Sequence, residues 1–163
     1  SGFYDLRNQQ ALFSDKPQYQ KGESKATAEV MRYDGRKQEI TLQGNARFEE
    51  PGRKASADIL SYLESTEEIF LIGHARYESD EQVITADTIS YDQRNETYIT
   101  RGRSLISDPP QLIEADQIDY EKESGLGVAL GDVIWQDTSA GISILCAEAR
   151  YREENDYLQA FGG

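Results

Sequence analysis

From Ile40 to Phe48 apolar and polar residues take turns without a break, with Ile40, Leu42, Gly44, Ala46 and Phe48 on one side. Strict period-two patterning over about nine residues predicts a β-strand with one buried face. Three further segments repeat the pattern. One carries Ile69, Leu71, Gly73, Ala75 and Tyr77, and the next Tyr98, Thr100, Gly102, Ser104 and Ile106. The last carries Gly127, Ala129, Gly131, Val133 and Trp135. The inward face is small at its centre, which leaves room there or lets another backbone approach. Between these segments run others with a parity slip. Ala26 and Ala28 share one side, but Met31 and Tyr33 share the other. The slip recurs at Ala55 and Ala57 before Leu60 and Tyr62, and at Ile84 and Ala86 before Ile89 and Tyr91. Keeping all of these inside needs one extra residue, so a bulge or corner is predicted at each Ala-acid step. Turn-rich stretches such as Asp34-Gly35-Arg36-Lys37 and Asp92-Gln93-Arg94-Asn95 separate the segments. No helical periodicity of useful length is present.

The spacing is a repeat. Glu29, Asp58, Asp87 and Asp116 each follow an alanine and stand 29 residues apart. A fifth pair, Ala147-Glu148, follows after 32 residues and implies a small insertion. Tyr4, Tyr33, Tyr62, Tyr91 and Tyr120 keep the same step, as do Gly44, Gly73, Gly102 and Gly131. Independent columns in one register identify a repeat-built protein. The expected fold is all-β, about five 29-residue two-strand repeats forming two packed sheets, with an apolar interior and open ends. Equivalent strands of neighbouring repeats should pair side by side, and the inward columns should stack into a continuous apolar trough. Residues 1–163 read as a single domain, a piece of a longer chain that begins mid-repeat and stops at Gly162-Gly163, where another strand should cross.

Composition narrows the function. The chain has 163 residues, 17 Lys and Arg against 30 Asp and Glu, and a net charge of −13. Such a surface repels polyanions, so nucleic acid is excluded as a partner. No apolar run approaches the ~20 residues of a membrane helix. A single cysteine, Cys146, forbids an internal disulfide, and a single histidine, His74, excludes multi-histidine metal sites. His74 and Cys146 both fall on the polar parity, so each is expected to face solvent. No cofactor or metal is expected. The acid column is better read as corner carboxylates accepting backbone N–H bonds than as a calcium ladder or a catalytic pair. The tyrosine column reads as a ladder of stacked rings.

The run Ile40-Thr41-Leu42-Gln43-Gly44-Asn45-Ala46-Arg47-Phe48, followed by Ala55-Ser56-Ala57-Asp58 and Val83-Ile84-Thr85-Ala86-Asp87, resembles the OstA/LptA-like family of lipopolysaccharide-transport proteins. The likeness extends from Tyr4 to Gly163. It implies a twisted β-jellyroll, open along one side, that carries lipopolysaccharide by its lipid A acyl chains across the periplasm. It also implies end-to-end strand pairing with other β-jellyroll transport proteins, with homo-oligomers left open. The chain would be either a free periplasmic bridge protein or the N-terminal domain of the outer-membrane barrel protein, tethered to that membrane.

On that resemblance the acyl chains would contact the inward faces: Ile40, Leu42, Ala46, Phe48, Ile69, Leu71, Ala75, Tyr77, Tyr98, Ile106, Val133 and Trp135. Each of these residues also reads as plain core. The net charge does not forbid the ligand. Burying a CH₂ is worth about 0.8 kcal/mol, so a chain of roughly a dozen carbons contributes on the order of 10 kcal/mol, while exposed charges beyond ~8 Å are screened. A charged residue at Leu42 or Leu71 is then expected to abolish lipid contact without unfolding the protein. Two other functions remain open, a carbohydrate-binding or adhesive β-solenoid and a purely structural stacking module. The first would need an exposed site at Gln136-Asp137-Thr138-Ser139 or Arg150-Tyr151-Arg152.

Overall fold

The computed structural model describes residues 1–152, 154 and 157–162. The alternating segments become long strands: β6 (Glu39–Glu50), β8 (Glu68–Ser79), β10 (Thr97–Asp108) and β12 (Leu126–Asp137). The segments with the parity slip become β7 (Arg53–Leu63), β9 (Val83–Asp92), β11 (Gln111–Glu121) and β13 (Ile142–Arg152). In the first repeat that segment breaks at Ala28-Glu29 into β4 (Ser24–Thr27) and β5 (Val30–Asp34). Shorter strands complete the set: β1 (Gly2–Asp5), β2 (Gln10–Ser14), β3 (Gln18–Lys21) and β14 (Tyr157–Phe161).

All fourteen strands belong to one antiparallel sheet in the order β1-β2-β5-β6-β7-β8-β9-β10-β11-β12-β13-β14, with β4 also beside β6 and β3 beside β4. Equivalent strands therefore do not pair with each other as expected; each is separated from the next by a strand of the other kind. The turns explain this. Short polar links join consecutive strands as hairpins, whereas pairing equivalent strands in parallel would need crossovers of a dozen residues or more. Asp34 shapes one such turn by accepting the N–H groups of Arg36 and Lys37 at 3.0 and 3.2 Å. Asp92 does the same for Arg94 and Asn95 at 2.9 and 3.0 Å. The Asn95 N–H and side-chain amide lead the bonds that hold the Asp92 carboxyl below its ordinary pKa.

A crease crosses every long strand, dividing the sheet into two arms. In β6, Glu39–Gln43 pair with β5 while Arg47–Glu49 pair with β4. Between Gln43 and Ala46 the register to β7 slips, with Gly44 and Asn45 opposite Asp58 alone. The same slip recurs along the crease between all later long strands. The corner thus falls at the Ala-acid step as predicted, with its extra residue on the glycine strand. Leu42 and Leu71 are only 1% and 2% exposed although, among the described residues, no helix covers the sheet. The two arms cover each other, and one hydrophobic cluster runs between them.

The fifth repeat departs from the spacing read in the sequence. Val133 pairs with Cys146, and Ala129 with Ala149, so Cys146 and Ala147 occupy the places of Ala57 and Asp58. The Ala147-Glu148 pair is therefore one residue out of register, and the true step is 31 residues. Gly162 confirms the frame: its φ is +66°, its carbonyl accepts the Ala147 N–H, and a Cβ there would lie 3.2 Å from the Ala147 side chain. The shift turns Cys146 inward, where it is half-buried against the core, instead of leaving it exposed. Gly163 lies outside the described residues.

Candidate functional site

The crease is built from two columns that interlock. A Cβ on Gly44 would lie 2.6 Å from the Glu29 carboxylate, and Gly73, Gly102 and Gly131 stand in the same relation to Asp58, Asp87 and Asp116. Each glycine also has φ between +76° and +79°, a conformation other residues adopt at a cost. The acid column is thus explained by packing, with donors nearby. The Asn45 amide donates to Glu29 at 2.9 Å, and Arg103 lies 3.5 Å from Asp116. These donors are side chains rather than the backbone N–H groups expected. His74 Nδ1 lies 2.9 Å from Asp58, and this bond raises its pKa above the ordinary 6.5. His74 is outward and 90% exposed, as its parity predicted. Among the described residues no group of three or more His, Cys, Asp or Glu could hold a metal ion.

The remaining exposed candidates have structural partners. Asp137 accepts the N–H groups of Ser139 and Ala140 at 2.8 and 2.9 Å, forming a turn. Arg150 donates to Glu148 at 2.6 Å and lies over the Phe161 ring.

All twelve expected inward residues lie on the inner face, arranged in rows across the strands. One row runs Tyr33, Ile40, Tyr62, Ile69, Tyr91, Tyr98, Tyr120, Gly127, Tyr151, Leu158. The column tyrosines are two strands apart and do not stack on one another. Instead Tyr98 stacks on Tyr120 at 5.1 Å, and Tyr77 lies 5.9 Å from Tyr91. Burial, then the neighbouring Tyr120, pushes the Tyr98 hydroxyl pKa up. Nearer the crease runs a second row: Met31, Leu42, Leu60, Leu71, Ile89, Thr100, Ile118, Ala129, Ala149, Ala160. Ala46, Ala75 and Val133 line the crease itself, and Phe48, Tyr77, Ile106 and Trp135 face them from the far arm.

The rows taper toward β12, and the taper opens the interior there. Across β6 to β9 the second row is Leu42, Leu60, Leu71 and Ile89, and the space between the arms is filled. The expected continuous trough is interrupted there. A charge at Leu42 or Leu71 would sit in this packed core and unfold the protein, contrary to the sequence-based expectation. From β12 onward the same row is Ala129, Ala149 and Ala160, while Gly127 stands where the first row elsewhere carries Ile40, Ile69 or Tyr98. A cavity of about 210 Å³ results. Of the expected lipid contacts, Tyr98, Ile106 and Trp135 line it. Gly127 and Ala129, read as inward but not as contacts, and Tyr120 of the tyrosine column line it too, whereas Ile113, Ile118, Ala149, Tyr151 and Leu158 were not anticipated. The 29-residue columns held the signal, since Leu42 and Leu71 give way to Thr100 and then to Ala129.

Residues 2–62 and 48–97 match the sequence model of a family described as LptA/(LptD N-terminal domain) LPS transport protein. The matched spans cover more than half of the chain. The chain belongs to this family. Its all-β jellyroll, built of creased repeats, fits that membership. Among solved structures it is similar to LptH, the LptA-homologous periplasmic component of the conserved lipopolysaccharide transport device of Pseudomonas aeruginosa. The TM-score is 0.55 at 12% identity, over 83% of this chain and 92% of that one. At that identity the likeness concerns the fold. No curated protein matches the chain.

Proposed function

We propose that this LptA-like chain carries lipopolysaccharide in the periplasm by taking acyl chains between the two arms of its sheet. The observation that carries this reading is the cavity lined by Tyr98, Ile106 and Trp135, apolar over little more than half of its wall and placed where the inward rows lose their bulk. Pockets that hold small ligands have this character, an apolar lining with a few polar groups. The cavity is smaller than the ~300–1,000 Å³ of typical ligand sites, so it takes part of a lipid at a time while the head group stays in water. The twelve inward residues are then of two kinds. Tyr98, Ile106 and Trp135 meet the lipid directly, and the others form the packed wall that the lipid must part to travel further.

The same reading includes end-to-end pairing with similar sheets, residues 1–163 acting as one jellyroll unit of the transport bridge. Among the described residues no strand lies along the edge of the Ile142–Cys146 half of β13 that faces away from β12, and Leu145 on it is 69% exposed. A purely structural stacking role is the alternative that a binding experiment separates. Purified protein titrated with lipopolysaccharide, followed by native mass spectrometry, is expected to show saturable binding at a defined stoichiometry. Self-association with no bound lipid at any concentration would overturn the proposal.

A further inference from the structure

Trp135 Nε1 is the one buried side-chain nitrogen or oxygen without a hydrogen-bond partner among the described residues. A buried indole N–H is normally bonded, and an exception calls for an explanation. Its cross-strand neighbours, Ile113 and Ile144, offer no side-chain acceptor. The ring lines the cavity between the arms, next to a rim that includes the polar Asp108 and Gln111. Trp135 lies two residues before the end of β12, whereas Ala129 lies closer to the crease along the same strand. Ala129, across the crease from Trp135 on the same strand, and Ala149 line the same cavity.

We infer that this cavity is a seat for one acyl chain and that Trp135 selects chains carrying a hydrogen-bond-accepting oxygen near the head group, an ester or amide carbonyl or a chain hydroxyl. The inference rests on the lipid-carrying reading and sharpens it. A plain alkyl chain would fill the cavity but leave the indole N–H unpaired. A chain with a carbonyl close to its polar end supplies the missing partner. Asp108 at the rim disfavours an anionic group there, so the selected portion of the ligand is neutral at that point.

The test uses the whole chain and two neutral probes of equal length, monolaurin, with its ester carbonyl, and dodecyl glyceryl ether, which lacks it. By calorimetric titration the wild type is expected to bind monolaurin more tightly by roughly 3- to 10-fold, the range of one net hydrogen bond. Trp135→Phe keeps an aromatic ring, smaller than the indole, and loses the donor, so it should bind both probes with equal affinity. Gly127→Leu fills the cavity without backbone strain, because the φ of Gly127 is not positive and a Cβ there meets Tyr120 at an ordinary 3.6 Å. It should lose both probes. A preference that survives in Trp135→Phe, or its absence in the wild type, overturns the role of the indole. Undiminished binding by Gly127→Leu overturns the seat. Saturable lipopolysaccharide binding without binding of either probe also refutes the seat while leaving the wider reading standing; loss of all three ligands refutes both.

Discussion

At the scale of single residues the crease is a contact between a glycine and a carboxylate, repeated on successive strand pairs. Adding a methyl group at Gly73 or Gly102 asks for a positive φ on a residue with a Cβ and displaces the Asp58 or Asp87 side chain. Gly102→Ala is expected to cost about 1–3 kcal/mol, read as a lowered denaturant midpoint. Gly127→Ala, free of both problems, should be neutral or stabilise by about 0.4–1 kcal/mol through the unfolded chain. His74 reports on the same crease. Because Asp58 raises its pKa, the favourable contribution is fully present below about 6.5 and is lost as pH rises through the higher folded value. The shift of this lone histidine, followed by NMR, is expected to titrate above 6.5 in the wild type. In Asp58→Asn it should return close to that value. Equal titration in both proteins would remove the bond from the account.

At the scale of elements, the long strands, their inward faces and the corner at each Ala-acid step were legible because period two and the parity slip act within a single segment. Pairing was not. Whether β6 lies beside β7 or β8 depends on the hairpin turns, and the columns alone are silent on it. The tyrosine ladder failed for that reason, since Tyr62 and Tyr91 are parted by β8. Register in the fifth repeat failed because alanine and acid at 147 and 148 mimic the motif one residue late. Only the pairing of Val133 with Cys146 reveals the slip. The packing of β8 makes a direct prediction. Leu71→Ala should destabilise by about 2–5 kcal/mol, as for other fully buried leucines, and Leu71→Asp should fail to fold, both seen by circular dichroism against denaturant.

At the scale of the whole molecule, one sheet folded along its crease encloses a packed half and a half with space. The sequence held the taper in its columns, yet volume is a property of facing arms, and no single strand displays it. The negative surface, −13 over the chain, works against an anionic head group. Lipopolysaccharide binding is therefore expected to strengthen when ionic strength rises from about 0.01 to 0.15 M, as the screening length falls from ~30 to ~8 Å. Binding that weakens with salt would place the head group against basic side chains instead. The central claim is that lipid travels between the arms and not over the outer faces. Photocrosslinking tests it most directly, with a light-activated phenylalanine at Ile113 or Trp135 inside, and at Ile72 or Leu145 outside, in cells exporting lipopolysaccharide. Adducts confined to the two inner positions are the predicted result, whereas adducts at Ile72 or Leu145 with none at the inner pair would contradict it.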